Sequence, residues 1–87
     1  MRKSQDQLLK LLNGARQQVE VGARYRHYKS PDMTYKVKDI VIQEADNEPC
    51  VIYQAEYGKL LTFSRPVRVW LEKVEFEGNV VQRFTKI

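Results

Sequence analysis

The stretch from Cys50 to Pro66, CVIYQAEYGKLLTFSRP, limits what the rest of the chain can build. Val51, Tyr53, Ala55 and Tyr57 alternate onto one face of an extended segment, and Tyr57-Gly58-Lys59 turns the chain into a second apolar run, Leu60 to Phe63. Two such runs joined through a glycine predict the centre of a small β-sheet. An antiparallel sheet is the economical answer, because a parallel pair would need a crossover helix that this stretch lacks.

The flanking sequence repeats the pattern. Ala23 to Lys29 alternates as a strand, with Tyr25 and His27 on one face and Arg24, Arg26 and Tyr28 on the other. Ser30-Pro31-Asp32 reads as a turn. Thr34 to Gln43 reads as a longer strand whose inward set changes from Tyr35 and Val37 to Ile40 and Ile42, which predicts a bulge near Lys38-Asp39. A loop at Ala45–Pro49 precedes a strand from Val51 to Tyr57, and Lys59 to Ser64 makes the next, ended by Arg65-Pro66. Val67 to Leu71 is a short apolar bridge with room for one helical turn. Val74 to Phe76 and Val80 to Phe84, joined at Glu77-Gly78-Asn79, read as a final hairpin.

One helix precedes these strands. Ser4-Gln5-Asp6-Gln7 fits a capping box, and Leu8, Leu11 or Leu12, Ala15 and Val19 recur at helical spacing through Gly14 to about Gln18. A helix this short needs a partner to be stable in water. Its leucine face can cover the sheet, pair with its copy in a homodimer through Leu8, Leu11 and Leu12, or receive a protein partner.

The expected architecture is therefore mainly β: a small antiparallel barrel of about five to six strands with an N-terminal α-helix. Residues 1–21 form the helical extension and residues 22–87 the barrel domain, as one globular unit. With 87 residues there is material for one core. Cys50 is the single cysteine, which excludes an internal disulfide and leaves stability to packing. No apolar run approaches the roughly 20 residues that cross a bilayer, and the polar start MRKSQDQ carries no export signal, so a cytoplasmic protein without a membrane partner is expected.

Chemistry-bearing residues are sparse. No His/Cys/Asp/Glu cluster has metal-ligand spacing, no glycine-rich phosphate loop is present, and no catalytic constellation can be assembled beyond a long-range His27–Cys50 pair. A non-enzymatic binding module without a cofactor or metal is the expectation, with two candidate sites. Tyr25, Arg26, His27 and Tyr28 place rings beside cations, the combination that holds single-stranded nucleic acid. Net charge is +4, but residues 22–38 carry five Lys or Arg against one acid and residues 39–57 none against five, so the basic character is local. The second candidate is a small-molecule or enzyme pocket from Arg65, Trp70 and Tyr57, in which the guanidinium fork takes a carboxylate or phosphate and the indole walls the site. The bland alternative pairs Arg65 with an acid from residues 44–56 and buries Trp70 in the core.

Taken together, Tyr25-Arg26-His27-Tyr28-Lys29, Val51-Ile52-Tyr53, Tyr57-Gly58, Arg65-Pro66 and the ending from Glu77-Gly78 to Arg83-Phe84 resemble the domain-of-unknown-function 1653 family of small bacterial proteins. The resemblance spans about residues 22–84 and leaves the helix outside. It implies an SH3-like barrel. It implies no reaction and no ligand.

Overall fold

The computed structural model describes residues 3–87, which form two helices and seven strands: α1 (Gln5–Gln18), β1 (Arg24–His27), β2 (Ser30–Gln43), β3 (Glu48–Ala55), β4 (Thr62–Pro66), α2 (Val67–Trp70), β5 (Lys73–Phe76), β6 (Asn79–Gln82) and β7 (Phe84–Lys86). Helix α1 opens on the expected capping box. The Gln7 amide donates to Ser4 Oγ at 3.2 Å, and the Ser4 amide donates to Gln7 Oε1 at 2.8 Å. The helix runs through Gly14, because Leu12, Ala15 and Val19 lie on one stripe that the sheet buries. Leu8 and Leu11 remain half-buried at its flanks, and Leu9 is exposed.

Beyond α1, Gly22 takes a left-handed backbone angle, φ +90°, and its amide donates to Val37 O, starting β1 alongside β2. The turn between these strands is Tyr28-Lys29, earlier than the Ser30-Pro31-Asp32 turn expected. The register explains the difference. Arg26 pairs with Thr34 and His27 with Ser30, so Pro31, Asp32 and Met33 bow out of the ladder where the missing proline N–H costs nothing.

The expected bulge is present at Lys38, since Val37 pairs with Tyr53 and Asp39 with Ile52. It turns both Val37 and Ile40 inward, at 0% and 1% exposure, although they are three residues apart. Strand β3 starts earlier than Val51 and stops before Tyr57, which belongs instead to the β3–β4 connection; β4 is correspondingly displaced to Thr62–Pro66. Asn47 at φ +59° and the Asn47 amide bond to Gln43 O tighten the β2–β3 turn enough for pairing to begin at Glu48.

At the C-terminal end, the β5–β6 turn is Glu77-Gly78, both left-handed, and Asn79 already pairs with Phe76. The run Val80 to Phe84 does not remain one strand. The chain breaks step at Arg83, and β7 leaves the hairpin to pair with β1.

The main sheet is antiparallel with order β4-β3-β2-β1-β7, and β5-β6 form a second, two-stranded sheet. No ladder joins β4 to β7 among the described residues, so hydrogen bonding does not close the SH3-like barrel that was expected, and seven strands stand where five to six were counted. The main sheet nevertheless curls. Five flat strands would hold their edges roughly 19 Å apart, yet the Arg65 guanidinium of β4 lies 5.4 Å from the Phe84 ring of β7. The core fills this concave side: Tyr25, Val37, Ile40, Val51, Tyr53, Val67, Trp70 and Phe84, with Ala15 and Val19 of α1. No described helix is long and apolar enough to cross a membrane.

Candidate anion-binding site

Phe84 is the centre of an aromatic cluster. Trp70 stacks on it at 3.7 Å with the planes 4° apart, and His27, Tyr53 and Tyr35 meet it edge-on at 5.1, 5.8 and 6.1 Å. Arg65 lies over the ring as well. A guanidinium and an indole cannot share one face, so they cover opposite faces of Phe84.

Arg65 is placed by β4, opposite Val51 in the ladder, and Pro66 ends the strand one residue later. The side chain is half-buried, and its Nε donates to the Tyr53 hydroxyl at 3.3 Å. It does not pair with an acid from residues 44–56, and two of the four acids there are held by other cations. Glu48 takes Arg68 at 2.9 Å, and Glu56 takes Arg24 at 2.8 Å together with the Thr34 hydroxyl at 2.7 Å. Among the described residues Arg65 forms no ion pair, while Arg83, also half-buried, is held by Glu72 at 3.0 Å.

Tyr57 reaches the same neighbourhood from the β3–β4 connection. Its hydroxyl and that of Tyr35 are 2.6 Å apart, and the rings meet edge-on at 5.5 Å. Burial, followed by this hydrogen bond, pushes the Tyr35 hydroxyl up to about 12. Tyr35 also packs edge-on against Tyr53, which binds Arg65. His27 completes the group. Its Nδ1 accepts from the Lys29 amide at 3.2 Å, and its pKa is lowered, first by burial and then by the positive charges of Arg65, Arg83 and Lys29. A neutral imidazole, two facing phenols and a guanidinium without a carboxylate thus gather around the Phe84 cluster, and the guanidinium fork is the group able to take a carboxylate or phosphate.

The other residues singled out from the sequence fall elsewhere. Tyr25 is 6% exposed, meets Trp70 edge-on at 5.3 Å and accepts the Glu20 amide through its hydroxyl at 3.0 Å. It therefore separates from Arg26, His27 and Tyr28, which with Phe76 and Pro31 line a shallow depression of about 210 Å³. Trp70 is a core residue at 2% exposure. Phe84, Tyr35 and Tyr53 belong to the site although the sequence pattern does not single them out. Their only local signal is that Tyr35 and Tyr53 share the inward parity of their strands, while Phe84 depends on the step at Arg83.

His27 and Cys50 lie far apart. Cys50 pairs with Val41 and His27 with Ser30, at opposite ends of β2 and roughly 20 Å apart at about 3.3 Å per rung. Burial, then Asp46 and Glu48, pushes the Cys50 thiol up, away from thiolate character. No group of His, Cys, Asp and Glu among the described residues could hold a metal ion.

A family model described as a protein of unknown function, DUF1653, matches residues 23–86. The crystal structure of a DUF1653 protein from Bordetella bronchiseptica is similar with a TM-score of 0.70 and 26% identity, covering 80% of this chain and 90% of that one. No curated protein matches the chain.

Proposed function

The chain belongs to the DUF1653 family, proteins of unknown function, and on that footing we propose that it is a non-enzymatic binding module that takes an anionic group, carboxylate or phosphate, on Arg65. The observation that carries the reading is the half-buried guanidinium that forms no ion pair among the described residues, while Arg24, Arg68 and Arg83 each hold a carboxylate. A cation in this position gains most from an anion arriving from solution, since partial burial strengthens the pairing. Tyr35, Tyr57 and His27 frame the group by hydrogen bonding rather than by charge. The module is a half-open relative of a small barrel, with Arg65 at the edge where β4 approaches β7.

The test is ¹H–¹⁵N NMR on the full chain with acetate and inorganic phosphate as probes, following the Arg65 Nε–H signal. Saturable movement of this signal and of the Val51 and Tyr53 backbone amides, with the backbone shifts lost in Arg65→Gln, supports the reading. A stationary Arg65 signal with both probes rejects it.

A second reading, single-stranded nucleic acid over Arg26, His27 and Tyr28, keeps one supporting observation. These residues share a depression with Phe76, and exposed Arg26 forms no ion pair among the described residues. Burial of Tyr25 removes one of its four expected contacts. It requires RNA binding that weakens steeply with salt and shifts Arg26 and Tyr28 rather than Arg65.

A further inference from the structure

A cavity of about 240 Å³ that Arg65 does not line is bordered by the Trp70–Phe84 stack, the C-terminal end of α1, the β5–β6 hairpin and β7. Tyr25, Trp70 and Phe84 form its inner wall, and Gln18, Lys73 and Gln82 stand around its rim. Lys86 and Leu71 complete the lining, which contains no acidic side chain.

We propose that this cavity is a separate binding site for a small planar aromatic carboxylate. Its size supports one or two rings, since it falls just below the roughly 300–1,000 Å³ of pockets that take drug-sized ligands. The ring edges of the inner wall suit a flat apolar body. The two rim amides offer both donors and acceptors to a polar edge. Charge sets the class to a single negative group. Lys86 Nζ is already held by Glu20 at 2.8 Å, whereas Lys73 forms no ion pair among the described residues. One uncompensated ammonium therefore faces the ligand. The wall is also held in place before binding, because the Tyr25 hydroxyl accepts the Glu20 amide and Trp70 lies flat on Phe84.

The site does not depend on Arg65, which covers the opposite face of Phe84. That separation makes the two readings independent.

The experiment is a ¹H–¹⁵N titration of the full chain with benzoate, and with benzamide as the uncharged isostere. The chain has one tryptophan, so its indole N–H gives one unambiguous signal beside the backbone signals of Gln18, Lys73 and Gln82. Benzoate moves these signals saturably, and benzamide binds more weakly. Lys73→Gln, an exposed change on β5, weakens benzoate about threefold to fivefold and leaves benzamide unaffected. Arg65→Gln leaves the same shifts in place. The proposal is overturned by absent saturation at Gln18, Lys73 and Gln82, by equal binding of benzamide, by indifference to Lys73→Gln, or by loss of the shifts in Arg65→Gln. The last result would leave the Arg65 reading standing alone.

Discussion

The Arg65 guanidinium lies 5.4 Å from the centre of the Phe84 ring, and through this contact the two outermost strands of the main sheet meet. Hydrogen bonds do not close the sheet, so side chains hold it curled. Phe84 carries most of that task because Trp70, His27, Tyr35 and Tyr53 all pack on it.

Phe84→Ala is expected to cost about 3–5 kcal/mol, the usual range for removing a buried phenylalanine. Urea unfolding measures this directly. A cost below about 1 kcal/mol would show that the curl does not depend on the ring.

Arg65→Gln has the opposite profile. It removes one cation–π contact and one hydrogen bond to Tyr53 but no ion pair, so a stability loss of about 1 kcal/mol is expected. Binding of acetate or phosphate should fall by about tenfold or more, because a charge-assisted fork is lost. A large stability loss with unchanged binding would make Arg65 a structural residue.

His27 makes stability depend on pH in mild acid. Its pKa is lowered below 6.5 in the folded chain, so the unfolded chain takes up the proton first as pH falls. Stability is full above about pH 6.5 and declines below it toward the folded pKa. His27→Gln should flatten that part of a urea-midpoint profile. An unchanged slope would assign the acid sensitivity to other groups.

Glu77 occupies the left-handed region at φ +53° in the tight β5–β6 turn, where a side chain other than Asn or Gly is strained. Glu77→Asn should stabilise the chain by about 0.5–1 kcal/mol. Thermal unfolding would reveal the gain, and a lower midpoint would contradict it.

What could be read in advance was what depends on near neighbours. The capping box at Ser4 and Gln7, and the bulge at Lys38 that brings Val37 and Ile40 to one face, are each written within a few residues. The Tyr28-Lys29 turn was missed because proline usually marks a turn, whereas here Pro31 lies in a stretch that bows out of the ladder. The alternation that continues through Tyr57 reads as strand, but the left-handed angles at Gly58 and Leu60 show that the connection has already begun. Arg65 stands out in the sequence beside Pro66, and Phe84 does not. Nothing near Phe84 announces that the chain leaves its hairpin at Arg83 and returns to β1.

That return also fixes an order of assembly. The β2–β3–β4 meander joins segments close in sequence, but the β1–β7 ladder, with Tyr25 opposite Lys86, closes a loop of about sixty residues at an entropic cost on the order of 3–4 kcal/mol. Such a contact is expected to form after the rate-limiting step. Phe84→Leu should therefore steepen loss of the folded state by raising the unfolding rate while refolding proceeds unchanged, whereas Val51→Ala in the meander should slow refolding. A urea chevron that shows slowed refolding for Phe84→Leu would reverse the order. On that order β7 is a latch, fastened last and released first, and Arg65 covers the Phe84 ring only while it is shut.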